Sequence, residues 1–306
     1  MVFEYNNFDY LFGSVSPYPY NRAFNQKIEA SRQSLDGSLF LDRVLKAVNL
    51  PQAISLYPPK NENALRQLHQ VICDADHITP HHKLSIIYYL LLDIDDRTSN
   101  ADDKAQDFAD RSGIPKRYMT FMQGLWYMDS QQFDTALEYL THPSLISDFA
   151  DDIISVLVRR VKDGDYTLPL AYYHTVQPSL QSSTAVELIF DAMAKSSVIE
   201  AFEFTRSHAE YMRRQLFNRL VIAVVDSTKT EESAKRAFEL TSLPFDADEE
   251  QWFTECLESG EGKRYKAAKD TLLMRRIATG RPPAAGEKGT WATVLEGFKV
   301  GSGGRV

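Results

Sequence analysis

Residues Arg117 to Leu145, RYMTFMQGLWYMDSQQFDTALEYLTHPSL, read as two helices folded back on each other. In the first, Tyr118, Met119, Met122, Leu125 and Trp126 recur at helical spacing on one side. In the second, Phe133, Ala136, Leu137 and Leu140 follow the i, i+3, i+4, i+7 rule. Asp129-Ser130-Gln131-Gln132 is a short polar break of the kind that joins antiparallel helices. Ala136 is small where two helices must approach, and Pro143 cannot continue the second helix. Trp126, on the inward stripe, belongs to the core.

The second helix has copies further along. Ala136-Leu137-Glu138-Tyr139-Leu140 is echoed by Ala201-Phe202-Glu203-Phe204-Thr205, by Ala237-Phe238-Glu239-Leu240-Thr241 and, weakly, by Ala171-Tyr172-Tyr173-His174-Thr175. The alanines are 30 to 36 residues apart, and Pro143, Pro178 and Pro244 follow three of the four. A period near this length marks stacked helix pairs, each too small to bury its own apolar face. No stretch alternates with period 2 over a useful length. The expected fold is therefore all-α, an irregular α-solenoid of stacked antiparallel helix pairs.

Helices are also expected over 38–48, with Pro51 as a stop, over 61–74, and from Thr79-Pro80 to about Ile94. Residues 93–110 are polar and acidic and read as a surface loop or frayed helix that tolerates deletion. Beyond the hairpin, helices are expected over 147–161, 208–226, 230–241, 246–258 and 261–279, with capping boxes at Thr184/Glu187 and Ser197/Glu200. Residues 1–37 crowd Phe3, Tyr5, Phe8, Tyr10, Leu11, Phe12, Tyr18 and Tyr20 together without a helical or strand period. Two readings stand: an arm pinned across the body by its aromatics, or a segment that docks a partner and orders on binding. The chain thus divides into an aromatic-rich arm (1–37), one helical domain (38–279) and a flexible tail (280–306).

The 306 residues carry a net charge of -8, which argues against a surface that coats nucleic acid. Two cysteines, Cys73 and Cys256, form neither a disulfide framework nor a metal cluster. No charged stretch followed by an apolar run marks a secretory signal at the N-terminus. The longest apolar run, Ile86 to Leu92, is far shorter than the ~20 residues of a membrane helix.

Chemistry-bearing patterns are sparse. No GxxxxGK[ST] or GxGxxG motif offers a phosphate cradle. His77, His81 and His82 lie near Asp74 and Asp76, but adjacent histidines on a helix point about 100° apart, so a solvated helix terminus is expected rather than a metal site. Arg206, Arg213, Arg214 and Arg219 read as a solvated helix face. Gly280-Arg281-Pro282 matches the core of an AT-hook, which lays arginine into the minor groove, although Thr279 stands where a leading arginine belongs. No cofactor and no catalytic set is expected.

The hairpin, together with LDRVLKAVNL (41–50), YPPKNENALRQLHQVICD (57–74) and HHKLSIIYYLLLDI (81–94), resembles the helical domain of the ELYS family of nuclear-pore assembly factors, and the likeness continues more loosely to about Thr279. The resemblance implies a non-catalytic nucleoporin of the nuclear envelope, a scaffold subunit that supports nucleocytoplasmic transport. It would dock on the short arm of the Y-shaped subcomplex, beside a large propeller-solenoid subunit and a small propeller subunit. Without an N-terminal propeller or a long tail, the sequence resembles the short fungal-type member, and chromatin binding is not implied. The expected contacts are Tyr10, Phe12, Tyr18 and Tyr20 of the arm and Thr141, His142, Pro143 and Leu145 of the turn after the hairpin. The alternatives are a helical-repeat adaptor of a vesicle-coat or proteolysis pathway, and DNA contact through Gly280, Arg281 and Pro282.

Overall fold

A computed structural model describes residues 4–13, 18–97, 103–226 and 230–280. Among them every regular element is helical and no strand occurs. The chain forms two compact units, residues 1–179 and 180–306. The first holds α1 (Phe8–Leu11), α2 (Arg22–Ser34), α3 (Phe40–Ala47), α4 (Pro51–Leu56), α5 (Glu62–Cys73), α6 (Pro80–Arg97), α7 (Lys104–Ser112), α8 (Lys116–Asp129), α9 (Phe133–Leu140), α10 (Ala150–Arg159) and α11 (Thr167–Val176). The second holds α12 (Ser183–Ser196), α13 (Val198–Arg206), α14 (Glu210–Val225), α15 (Glu231–Ser242), α16 (Ala247–Glu258), a 3-10 turn (Glu261–Arg264) and α17 (Ala268–Ala278).

The repeat in the sequence follows the helix pairs. Ala136, Ala171, Ala201 and Ala237 fall on α9, α11, α13 and α15, the second helix of four successive pairs. The two helices of each pair pack on each other, α8 on α9, α10 on α11, α12 on α13 and α14 on α15, and α9 on α11, α12 on α14, α13 on α15, α14 on α16 and α15 on α17 repeat one contact two helices apart. That is the stacking of a solenoid-like arrangement within each unit. The alanines are not equivalent: Ala136 and Ala201 are buried, whereas Ala171 is exposed.

The hairpin forms as the sequence predicts, with α8 and α9 joined by Ser130-Gln131-Gln132. Met122, Leu125, Trp126, Ala136, Leu137 and Leu140 are buried along its seam. The closest approach is at Gly124, where a methyl group would lie 2.6 Å from Leu140 Cγ and 3.2 Å from Tyr139 Cβ. Only hydrogen fits there, so glycine in mid-helix is a packing requirement that outweighs its poor helix propensity.

Two buried carboxylates tie α8 to the rest of the first unit. Asp129 accepts from the Phe40 and Leu41 N–H groups at 2.6 and 3.0 Å and from the Tyr89 hydroxyl at 2.8 Å. It thereby satisfies two of the orphan donors at the start of α3 from a distant helix. Asp93 accepts from the Tyr20 and Tyr57 hydroxyls at 2.9 and 2.7 Å and from Trp126 Nε1 at 2.8 Å. Burial pushes Asp93 up to about 6 and Asp129 up to about 7 from the ordinary 3.8, against the lowering effect of these hydrogen bonds.

Several expectations are corrected. The described parts of 93–110, residues 93–97 and 103–110, are helical apart from the cap Asp103 and partly buried, not surface loop: Asp93 and Ile94 are buried in α6, and Ala105, Phe108 and Ala109 are buried in α7. Asp93 lies seven residues after Ile86 and four after Tyr89, on the same inward face, so its charge masked its position. The arm contains the 13-residue helix α2, whose Phe24, Ile28 and Ser31 face inward. Pro51 opens α4 at its first position, where proline lacks nothing the helix needs, instead of only ending α3. The Thr184 box is absent because α12 starts earlier, after Ser182, whereas Ser197 does cap α13 by accepting from the Glu200 N–H. Expected helix 261–279 is interrupted between the 3-10 turn and α17.

The second unit is pinned by a different chemistry. Glu249, fully buried, accepts from Arg206 at 3.0 and 2.8 Å, from Arg213 and from the Asp246 N–H at 2.9 Å. Burial pushes its pKa up, but the two arginines and the backbone donor win, and it lies below the usual glutamate value. Trp252, Phe253, Cys256 and Leu257 of α16 face inward as expected.

Two measurements check this account. Gly124→Ala should lower the unfolding free energy by about 1–3 kcal/mol through overpacking; denaturant titration showing parental stability would mean that α8 and α9 have slack at this crossing. Raised carboxylates leave the native state holding more protons than the unfolded state between about pH 4 and 7. The stability of the first unit should therefore fall as pH rises through that window, by up to about 1.4 kcal/mol per pH unit for each group. Asp93→Asn, which keeps an acceptor without a charge, should flatten the slope; an unchanged slope would exonerate Asp93.

Candidate interaction site

The first unit has an apolar groove of about 450 Å³ at the N-terminal half of α8. It is lined by Val44 and Ala47 of α3 and Val48 just after it, by His82, Ser85 and Ile86 of α6, and by Tyr118, Phe121 and Met122 of α8. Asp148 and Phe149 complete the lining. Phe149 has φ 58, a left-handed backbone that costs a bulky residue strain, and its ring stacks on Phe121 at 6.2 Å and 18°. Strain of this kind is kept where the surroundings over-determine it, and it occurs at ligand sites more than elsewhere.

The sequence supplies this groove through a second stripe on α8. Met122, Leu125 and Trp126 face the core, and Tyr118 and Phe121 broaden the apolar face beyond it. Ile146, 70% exposed, lies in the loop that leads to Phe149. His81 stacks on the Tyr118 ring at 5.8 Å, His82 meets it edge-on at 5.9 Å, and the Arg117 guanidinium lies 5.0 Å from its centroid.

The expected contact residues separate into two groups. Phe12 and Tyr20 are 1% exposed and belong to the core: Tyr20 binds Asp93, and Phe12 packs on Phe8 and His69. They offer no face to a partner, because the aromatic crowding serves internal packing. His69 reinforces it by bonding the Tyr5 carbonyl at 2.9 Å. Tyr18 is half-buried, its hydroxyl 3.3 Å from the Pro59 carbonyl. Tyr10 is 52% exposed and accepts from Arg111 at 3.0 Å. Thr141 is half-buried and bonds the Leu137 carbonyl at 2.7 Å. His142 and Pro143 are exposed and Leu145 is half-buried, in the loop that continues to the groove edge. The groove residues themselves were missed, because an apolar side chain on a helix signals burial before contact.

No constellation for chemistry gathers among the described residues. No three His, Cys, Asp or Glu side chains converge on a metal-sized site there. His77 reaches the Val48 carbonyl at 3.1 Å while His81 and His82 turn to Tyr118. Cys73 lies 3.4 Å from His69 Nε2, but burial pushes its thiol up to about 11, which keeps it protonated and a poor nucleophile. Arg206, Arg213, Arg214 and Arg219 are each paired with carboxylates instead of forming a free basic face. Gly280 ends the described chain in a left-handed turn, and Arg281 and Pro282 lie outside the described residues.

Comparison with known proteins follows the helical body. A family model described as "ELYS: Nuclear pore complex assembly" matches residues 38–260. The chain is 25% identical over 281 residues to the uncharacterized protein ely5 of Schizosaccharomyces pombe, covering 91% of this chain and 87% of that one. It is 24% identical over 205 residues to the human protein ELYS, covering 66% of this chain but 9% of the human protein's length. With most of its length matched by that model, the chain belongs to the ELYS family of nuclear pore complex assembly, which assigns it to the nucleus and the nuclear pore complex.

Proposed function

We propose that the chain is a non-catalytic scaffold and assembly subunit of the nuclear pore complex that docks on the short arm of the Y-shaped nucleoporin subcomplex. Its partners there are the large propeller-solenoid subunit and the small propeller subunit. The observation that carries this reading is the extent of the family match, which runs through every helix from α3 to α16. A helical body matched along its length, with its buried carboxylates Asp93, Asp129 and Glu249 committed to internal hydrogen bonds, suits a protein whose product is a surface. Rigid helix pairs offer a broad face on which a few apolar anchors dominate affinity and a polar rim sets orientation.

Mixed with the purified short-arm subunits, the chain should co-elute with them on size exclusion, and separate elution would overturn the short-arm assignment. A fluorescent fusion should give a nuclear-rim signal. A diffuse cytoplasmic signal would favour the adaptor of another pathway.

A further inference from the structure

We propose that the groove on α3, α6 and α8 seats a short peptide segment of a partner protein that carries a large apolar anchor next to acidic residues. The groove fits one or two large apolar side chains against Val44, Val48, Ile86, Phe121 and Met122, while the Ser85 hydroxyl in the lining is already committed to the His81 carbonyl at 2.6 Å. The edge at Tyr118 carries the Arg117 guanidinium. Arg117, His81 and His82 all gather on this one ring. The first turns of α6 and α8 meet there, since His81 and His82 open one helix and Arg117 and Tyr118 the other. Helix N-termini add partial positive charge to that of the arginine. This edge stands out on a chain whose net charge is -8.

Asp148 is the one carboxylate in the lining. An acid-flanked anchor therefore sets its carboxylates beside Arg117, the cation nearest the groove. Charge fixes orientation and discriminates against basic segments, while the apolar lining supplies the affinity. Phe149 fits the same reading: its left-handed backbone holds the ring against Phe121 as a ready-made wall. The inference stands on the groove alone and does not depend on which assembly the chain joins.

The test uses the full chain with its methionine methyl groups labelled with carbon-13. Met122 lines the groove, and Met128, fully buried in the same unit and outside the groove lining, reports on that unit's folding. Two synthetic peptides serve as probes: a central Phe-Leu pair followed by three glutamates, and the same peptide with lysines in their place. The Met122 methyl resonance should shift saturably with the glutamate peptide, at least tenfold more weakly with the lysine peptide, and Met128 should not move. Arg117→Glu should reverse the preference, and Ala47→Trp, at an exposed lining position, should abolish binding of both; a Met128 resonance at its parental position certifies that the unit is folded. Equal binding of the two peptides, no shift at Met122, or a preference unchanged in Arg117→Glu would overturn the proposal. So would a Met122 shift produced by anionic phospholipid vesicles but by neither peptide.

Discussion

Two carboxylates taken out of water without a cation organise the first unit. Every donor to Asp93 and Asp129 is neutral: three tyrosine hydroxyls, one indole N–H and two backbone N–H groups. Six hydrogen bonds satisfy the oxygens but do not cancel the charge, which is why both groups hold their protons to unusually high pH. Directional bonds of this kind fix geometry more than they add stability. Tyr20, the start of α3, Tyr57, α6 and α8 must all meet at these two side chains, and an alternative packing would leave a buried charge with missing donors. Glu249 solves the same problem in the second unit with two arginines, so its pKa moves the other way.

The segment before residue 38 is part of this arrangement. The family match begins at residue 38, yet Tyr20 supplies a donor to Asp93, and Arg32 binds Asp42 at 2.8 and 3.1 Å while also reaching the Tyr57 carbonyl at 2.9 Å. Asp42 in turn accepts from the Leu39 N–H at the start of α3. The start of the matched region is therefore held by hydrogen bonds from residues that precede it.

Helix existence was legible wherever apolar spacing was regular. The hairpin, α5, α14 and α16 follow from side-chain periodicity, and the period of the alanine motif tracks the helix pairs. What stayed hidden had two physical causes. Polar residues that point inward look like surface in a sequence, so Asp93 and Asp129 were read as parts of a loop and a turn; only their hydrogen-bond partners, 33 to 89 residues away, reveal them. Aromatics that look like contact residues are internal when donors and rings surround them, as for Phe12 and Tyr20. The reverse holds for Tyr118 and Phe121, which continue a core stripe in sequence but form the wall of an open groove in space. Spacing along one helix records which residues share a face and is silent on whether a neighbour covers it.

The groove and the buried carboxylates are linked through α8. Trp126 and Asp129 fix its C-terminal half by bonds to Asp93, Phe40 and Leu41, and Gly124 locks its middle against α9. Tyr118, Phe121 and Met122, one to three turns earlier on the same rigid helix, are thereby held in place without contacting those bonds. The α3 side of the lining is positioned by the same residue, since Asp129 caps the helix that carries Val44 and Ala47 and ends at Val48. Both sides of the groove thus take their spacing from one carboxylate. A docking surface set in this way loses little conformational entropy when occupied, which lets a small apolar contact hold a partner.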